Sequence, residues 1–340
     1  MARKGKKEAL KRFLLREIRD SNQNPTRAAI KRFGLTRQYI STMLGELRRE
    51  GWVRAEGSTS RRAYRIAFVG NTRDFPTTTP EDRVWREFGR QTVADLPANV
   101  QRILQYGFTE MINNVIDHSG AASYSVRVLK NPVLAIVVIG DDGVGVFEKL
   151  RDHFGFEDSE HAALELSKGK LTTDPDKHTG EGIFFTSRMV DEFQLWSDHL
   201  ELVTEHAEKA WVIRHAERIP GTQVQLHVHA DTNRTPTEVF REYTIGADDP
   251  FFSVTHVPIS LVEMGETNLV SRSQAKRLMA RLDDFARVKL DFFGIRSIGQ
   301  GFADEVFRVW AQNHPDVELE AIRANEDVRL MIDRARRRIG

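Results

Sequence analysis

Four short polar motifs follow one another in a fixed order along the middle of the chain. The first reads Glu110-Met-Ile-Asn113-Asn114-Val-Ile-Asp117-His118. Spacings of three and four place its carboxylate, amide and imidazole side chains along one helical face. Such a face can bind a metal ion, because oxygen ligands suit hard divalent cations. The alternative is an ordinary amphipathic helix whose apolar residues face the core.

The second motif combines a carboxylate with two glycines. Asp141-Asp142-Gly143-Val144-Gly145 directly follows the apolar run of residues 133–139. This order places the Asp141 carboxylate at the end of a strand, before a turn that glycine makes easily. A carboxylate in that position is a candidate hydrogen-bond acceptor for a bound ligand.

The third and fourth motifs are also rich in glycine. Thr179-Gly180-Glu181-Gly182 opens a helix that starts near Ile183, so it presents bare backbone N–H groups to an anion. Gly221-Thr222 precedes an alternating strand, residues 223–228. Each motif alone is a weak signal, because such turns are common in loops. Their order along one chain predicts a nucleotide pocket.

Together the motifs resemble those of the GHKL ATPase superfamily over roughly residues 85–230, and the nearest branch is the anti-sigma factor kinases. The resemblance implies a Bergerat-type site for ATP and Mg²⁺. In that site Glu110 would activate the attacking hydroxyl or water, Asn114 would bind the magnesium ion, and Asp141 would accept the adenine amino hydrogen. The other residues implied around the nucleotide are Asp117, His118, Gly143, Gly145, Thr179, Gly180, Glu181, Gly182 and Thr222.

Elementary chemistry agrees with two of these roles. Magnesium keeps several waters and takes only one or two protein oxygens besides phosphate, so a single Asn114 is a sufficient ligand. A carboxylate one helical turn earlier, Glu110, is placed to orient a nucleophile towards the terminal phosphate. The long segment of residues 148–178 resembles an ATP lid, in which Lys168, Lys170 and His178 would reach that phosphate or remain solvated loop charges.

The composition sets limits on the kind of protein. The 340 residues have room for two or three domains, and the hydrophobic content of 40% is that of globular proteins. The chain has no cysteine, which excludes disulfides and thiolate metal sites. The longest apolar run is far below the ~20 residues of a membrane span, and the N-terminus lacks the apolar stretch of a signal peptide. The sequence therefore predicts a cytoplasmic protein without membrane contact.

Charge is distributed unevenly. Residues 1–70 hold 18 Lys/Arg and 6 Asp/Glu, a net charge of +12, and the rest of the chain has a net charge of −11. This imbalance indicates a polyanionic partner, although a basic stretch also occurs as a solvated face. The same segment predicts a helix-turn-helix. Residues 6–20 have helical periodicity, a second helix runs from Pro25-Thr26 to Phe33 and breaks at Gly34, and a third helix runs from Thr36 to about Glu50.

A hairpin with residues 57–62 at its tip follows these helices, so residues 6–68 resemble a winged helix-turn-helix. A protein-interaction module is the alternative. For DNA binding, the outer face of the third helix would meet base edges and the basic hairpin tip would meet the backbone. The residues predicted to contact DNA are Arg37, Gln38, Ser41 and Thr42 on the helix, and Arg61 and Arg62 at the tip.

The C-terminal part alternates strand and helix from about residue 250, which predicts an α/β unit. Residues 288–307 resemble the STAS-like anti-sigma factor antagonists, in which a serine between strand and helix is phosphorylated. This chain has Ile298-Gly299-Gln300-Gly301 there, without a hydroxyl, and Ser297 lies one turn early. A docking or dimerisation role, including a homodimer, is equally compatible with this pattern.

The resulting prediction is a multi-domain α+β chain with a winged helix-turn-helix, a Bergerat-type α/β sandwich ATPase and a STAS-like α/β domain. The predicted boundaries are residues 1–69, a linker at 70–84, the ATPase at 85–232 and the last domain at 250–340. The predicted function is a regulator that binds DNA, with ATP and Mg²⁺ controlling its domain packing. The alternatives are a serine/threonine protein kinase acting on a partner protein and a nucleotide sensor without turnover.

Overall fold

The computed structural model of the chain describes residues 2–21, 24–57, 63–205, 210–246, 251–261 and 269–337. In these residues the protein is a mixed α+β chain of several domains, with one sheet in each of three regions. No helix among the described residues is both long and apolar enough to cross a membrane.

The N-terminal unit contains three helices and a hairpin. Its elements are α1 (Ala2–Ser21), α2 (Thr26–Phe33), α3 (Arg37–Arg49), β1 (Val53–Glu56) and β2 (Ala63–Ile66), and the two strands are antiparallel. Helix α2 ends because Gly34 takes a left-handed conformation with φ 64°, and the Thr36 side chain caps α3 by accepting from the Tyr39 amide. The predicted boundaries of these helices are confirmed to within a few residues.

The apolar faces of these helices form one core. Leu10, Leu14 and Ile18 of α1 are fully buried, and they pack with buried residues of α3, β1 and β2. Val133, in the turn that joins two strands of the central sheet, belongs to this same core, and the Arg19 guanidinium donates to its carbonyl oxygen at 3.3 Å. The N-terminal unit is therefore packed directly against the next unit.

The predicted linker at residues 70–84 is wrong, because most of that segment is folded. Strand β3 (Val69–Pro76) pairs antiparallel with β4 along its whole length, and helix α4 (Glu81–Val84) follows. The backbone of β3 gains a full ladder of hydrogen bonds, but only Phe75 of its eight side chains is buried. An edge strand exposed on both faces has no apolar alternation for sequence reasoning to find.

The central sheet has five antiparallel strands in the order β3-β4-β5-β7-β6 among the described residues. The strands after β3 are β4 (Ser123–Asn131), β5 (Leu134–Asp141), β6 (Glu192–Glu205) and β7 (Ala210–His229). Helix α6 (Ala98–Asn114) packs against α9 (Gly182–Met189) and β7, and it continues through a wider π-helical turn to Ser119. The remaining helices of this region are α5 (Arg90–Val93), α7 (Val146–Phe154), α8 (Ser159–Lys168) and α10 (Pro236–Glu242).

The C-terminal unit is a three-stranded parallel sheet, β10-β9-β8, with helices between its strands. Its strands are β8 (Val254–Pro258), β9 (Arg287–Asp291) and β10 (Glu318–Ile322), and its helices are α11 (Arg272–Met279), α12 (Gln300–Asp304), α13 (Ala311–Asn313) and α14 (Glu326–Arg336). A π-helical stretch, Glu305–Trp310, joins α12 to α13. The alternation of strand and helix predicted for this part of the chain is present.

Candidate functional site

One cavity gathers residues from all four sequence motifs. Its empty volume is about 1030 Å³, which includes space open to solvent. Its apolar wall includes Met111, Val115, Ile139, Leu150, Leu166, Leu171, Leu195 and Val224. The predicted site residues that line it are Glu110, Asn114, His118, Asp141, Gly145, Thr179, Gly180, Glu181, Gly182 and Thr222.

Asp141 lies at the end of β5 and is held by backbone groups. Its Oδ1 accepts from the Gly143 amide at 2.9 Å, and the Thr222 backbone also hydrogen-bonds to its carboxylate. Burial raises the pKa of Asp141, and the two backbone hydrogen bonds oppose that rise. The carboxylate is thus fixed in direction and only half exposed, which suits the recognition of a ligand N–H group.

Two glycines are required by close packing around Asp141. A Cβ on Gly221, where φ is 62°, would lie 2.2 Å from the Asp141 carbonyl oxygen, and one on Gly143 would lie 2.1 Å from the Ser119 carbonyl oxygen. Gly143 does not line the cavity. Gly221 and Thr222 lie inside the long strand β7, where Thr222 Oγ1 accepts from the Val146 amide at 3.1 Å. The prediction that they precede a strand is wrong, because β7 continues on both sides of them.

Glu110 projects from α6 towards the first residue of α9. A Cβ built on Gly182 would lie 2.3 Å from Glu110 Oε2, so only glycine leaves room for this carboxylate. Burial raises the pKa of Glu110; His178 lowers it and Glu181 adds to the rise. A carboxyl group with a raised pKa beside backbone N–H groups is a candidate general base.

Asn114 lies one turn beyond Glu110 and has an unsatisfied side chain. Its amide nitrogen is buried and has no hydrogen-bond partner among the described residues. Rotation of the amide group by 180° would turn its oxygen to the same position, so the side chain can offer an oxygen ligand to a cation. A buried polar group without a partner costs about 1–3 kcal/mol, which a bound ion or ligand would remove. The site therefore fits Mg²⁺ through this residue.

Two histidines face each other beside Asn114. The rings of His118 and His178 are 4.8 Å apart, and His178 Nε2 lies 3.3 Å from the Asp117 carboxylate. Asp117 itself does not line the cavity and contacts it only through His178. Burial lowers the pKa of His118, and Lys149 lowers it further. Both histidines line the cavity together with Asn114.

Lys149 is a cavity residue that sequence reasoning missed. It lies on α7 and its ammonium group donates to the His118 carbonyl oxygen at 2.8 Å. Burial lowers the pKa of Lys149. The sequence signal that could have identified Lys149 is its position four residues after Gly145, in the first turns of the helix that follows the second motif. Lys149 adds a cationic side chain to the lining of the cavity.

The prediction that Lys168 and Lys170 reach the nucleotide is not supported by their positions, because neither lines the cavity. Lys168 is 1% exposed; its ammonium group pairs with Glu165 and donates to the Ala280 carbonyl oxygen at 2.9 Å. Lys170 donates to the Asp284 carbonyl oxygen at 2.7 Å. Both side chains are directed to the C-terminal unit, whose carbonyl groups supply acceptors that no local sequence pattern reveals.

The residues predicted to contact DNA fall into two groups. Arg37, Gln38, Ser41 and Thr42 are all exposed on α3, whereas Ile40, Met43, Leu44 and Leu47 of the same helix are buried. The third helix therefore presents the predicted polar face to solvent. Arg61 and Arg62 lie outside the described residues.

Comparison with known families identifies one part of the chain. Residues 274–329 match the family described as a STAS-like domain of unknown function (DUF4325). That match begins in α11 and ends in α14, so it covers the helices and the two strands β9 and β10 between them. No match was found among curated proteins. The C-terminal unit is therefore STAS-like.

Proposed function

We propose that the central region, residues 85–232, is a GHKL-type domain that binds Mg-ATP, and that the whole protein is a DNA-binding regulator controlled by this nucleotide. The observation that carries the proposal is one cavity lined by residues of four motifs that are spread over residues 110–222. A chance set of turn motifs has no reason to converge on one largely apolar cavity.

Different residues of the cavity suit the adenine, the phosphates and the magnesium ion of Mg-ATP. Asp141 would accept the adenine amino hydrogen, since its carboxylate is the fixed acceptor at the strand end of the cavity. The amides at Gly180 and Gly182, at the start of α9, would bind phosphate oxygens. Asn114, which also lines the cavity, would bind the magnesium ion that supplies charge neutralisation at the phosphates.

Glu110 would act on the terminal phosphate as the base that orients and deprotonates a nucleophile. Burial that raises the pKa of its carboxyl group moves it towards neutral pH, where general bases are most effective. The nucleophile would be water in an ATPase and a protein hydroxyl in a serine/threonine kinase. In a sensor without turnover, Glu110 would only hold the start of α9.

Control of the other units would run through the segment between the second and third motifs. Helix α8 of this segment is bound to the C-terminal unit, because Asp158 pairs with Arg277 at 2.6 Å and Glu165 pairs with Arg281 at 3.4 Å. Leu166 and Leu171, which flank Lys168, line the cavity. Nucleotide binding that reorders this segment would therefore also act on the STAS-like unit, through which a protein partner would bind.

The N-terminal unit would act as a winged helix-turn-helix that binds DNA. Its support is the net charge of +12 over residues 1–70, together with the exposed polar face of α3. A protein-binding role is the alternative for such a unit. Direct packing of α1 on Val133 gives it a route to the nucleotide domain.

Three assays on the purified protein separate the forms of this proposal. Titration calorimetry with ATP and Mg²⁺ tests binding, and a saturable heat that is absent with buffer alone is the expected result. Inorganic phosphate released into solution would identify an ATPase, and label from γ-³²P-ATP on protein would identify a kinase. Binding without either product would identify a sensor. If ATP does not bind in the presence or absence of Mg²⁺, the nucleotide proposal is wrong.

A further inference from the structure

Two histidines and a glutamate lie close together and do not line the proposed nucleotide cavity. They are Glu160 at the start of α8, His199 on β6 and His215 on β7. One ligand atom from each of the three residues lies within 4.8 Å of the other two. The Glu160 carboxylate is 3.8 Å from His215 Nε2, and the two imidazole rings are nearly parallel, with their centres 5.7 Å apart. None of these residues has a role in the proposed function.

A local irregularity of the sheet brings the two histidines together. Asp198 has a left-handed backbone with φ 53°, and the register of β6 on β7 shifts on both sides of it. As a result Leu200 pairs with His215, while His199 has no register partner and stands beside that pair. A β-bulge of this kind re-aims a side chain, and bulges are common next to functional sites.

The Asp198 carboxylate also fixes the ring of His199. It contacts His199 Nδ1 and receives the Arg218 guanidinium at 2.7 Å, so it is held on both sides. A carboxylate on one imidazole nitrogen leaves the other nitrogen, Nε2, available as a ligand. The combination of histidine ligand and carboxylate partner is a recurring arrangement around zinc and other transition metals.

We propose that Glu160, His199 and His215 bind one Zn²⁺ ion and that this ion joins α8 to the β6-β7 hairpin. Two imidazoles and one carboxylate form a known zinc ligand set, with a water in the fourth position. Ligand atoms around a tetrahedral zinc ion are ~3.4 Å apart, as bonds of ~2.0–2.1 Å require, so the three side chains must close by about 1 Å. The His215 side chain is 69% exposed and can make that movement by rotation, while Asp198 holds the ring of His199.

The test is zinc binding by the full-length protein after chelator treatment and without nucleotide, measured by competition with a chromophoric zinc indicator. One ion per chain is expected for the wild type. In His199→Ala and His215→Ala we expect zinc affinity to fall at least 10-fold, and in Asp198→Asn by ~10–100-fold through loss of ring orientation. Asparagine tolerates the left-handed backbone of residue 198, so this variant should fold.

Two controls make the result decisive. His153→Ala removes an exposed histidine of α7 outside the cluster and should leave zinc binding unchanged. Circular dichroism, the second control, checks that each variant is folded. Glu160→Gln is a further test variant: it leaves both histidines in place and should also weaken zinc binding. Equal zinc affinity and stoichiometry in wild type, His199→Ala and His215→Ala would overturn the proposal. Its failure would leave ATP binding at the cavity untouched, because the two sites share no residue.

Discussion

Asp158 and Arg277 join the helix beside the candidate nucleotide cavity to the STAS-like unit. The Arg277 guanidinium lies 2.6 Å from Asp158 Oδ1, and the same oxygen caps α8 by accepting from the His161 amide at 2.6 Å. One carboxylate thus both starts α8 and fastens it to α11. Deeper in the same interface, Lys168 pairs with the fully buried Glu165. The Asp158–Arg277 pair thus connects the central region directly to the STAS-like unit.

The buried pair predicts a stability effect. Lys168→Ala leaves the carboxylate of Glu165 buried, with Arg281 at 3.4 Å and His161 Nε2 at 3.6 Å as remaining partners. Breaking a buried ion pair typically costs ~3–5 kcal/mol, so we expect a clear decrease in the midpoint of thermal unfolding. The double variant Glu165→Leu, Lys168→Met should regain most of that loss, since no charge stays buried. Arg329→Ala, on the exposed side of α14, is the control; a Lys168→Ala midpoint equal to that of this control would contradict the prediction.

Glu110 should affect turnover more than binding. In Glu110→Gln we expect ATP affinity to remain within a few-fold, while phosphate release or phosphotransfer falls by ~100-fold or more, the scale of a lost general base. The control is Glu157→Gln, which changes an exposed carboxylate of the same type. Wild-type turnover retained in Glu110→Gln would assign the residue a structural role only.

The raised pKa of Glu110 also predicts two pH dependences. Turnover should decrease as pH falls through this pKa, which lies above the ordinary value of 4.5, and the Gln variant should lack that limb. The folded state carries a buried ionised carboxylate above this pKa, so stability from this group is lost as pH rises through it. Thermal unfolding should therefore show Glu110→Gln to be more stable than wild type at pH 7, with the difference shrinking as pH falls through the raised pKa and lost below the ordinary value of 4.5. A difference that grows on acidification would contradict the assignment.

Glycine substitutions should separate site geometry from folding. Gly182→Ala places a Cβ 2.3 Å from the flexible end of Glu110, so the protein should fold but lose at least ~10-fold in turnover, because ~1 Å of misplacement can cost ~100-fold. Gly143→Ala meets the Ser119 backbone at 2.1 Å and should destabilise the fold by ~1–3 kcal/mol. Gly140→Ala, with its nearest neighbour at 3.7 Å, should do neither. Unfolding curves and activity assays on all three variants check these three expected effects.

DNA binding should depend on two kinds of contact. Gln38→Ala should reduce the difference in affinity between a preferred site and random DNA by ~1–3 kcal/mol if the side chain reads a base. Replacing Arg61 and Arg62 with alanine should weaken binding to all sequences and reduce the salt slope by about two units or less. Fluorescence anisotropy titrations at several salt concentrations give both quantities. Unchanged affinity in both variants would reassign the N-terminal unit to protein binding.

Local sequence signals were sufficient where a short segment determines its own structure. Gly34 and Thr36 mark the end of α2 and the start of α3, because a left-handed cap and a side-chain cap each act within one turn. The carboxylate of Asp141 at a strand end and the glycines at the start of α9 were located in the same way. These signals predicted most of the polar residues and glycines that line the cavity, but not its apolar wall.

Other features depend on contacts between distant segments. Strand β3 has no apolar pattern, because it is an exposed edge whose stability comes from its backbone ladder with β4. Lys168 belongs to a polar-looking stretch, yet the carbonyl groups of Arg277 and Ala280 and the Glu165 carboxylate bury it against the C-terminal unit. The meeting of His199 and His215 depends on a register shift in the β6-β7 pair. In each case at least one contacting residue lies far away in the chain, so no short stretch of sequence reveals the contact.

The central claim is that the cavity binds the adenine of ATP through Asp141. Titration calorimetry with ATP and Mg²⁺ on Asp141→Asn, beside Asp142→Asn as the matched control on an adjacent exposed carboxylate, tests it most directly. We expect the Asp141 variant to lose ~1–3 kcal/mol of binding free energy, because one charge-assisted hydrogen bond in a half-buried site loses its charge, and the Asp142 variant to bind like wild type. Equal ATP affinity in wild type and both variants would contradict the account.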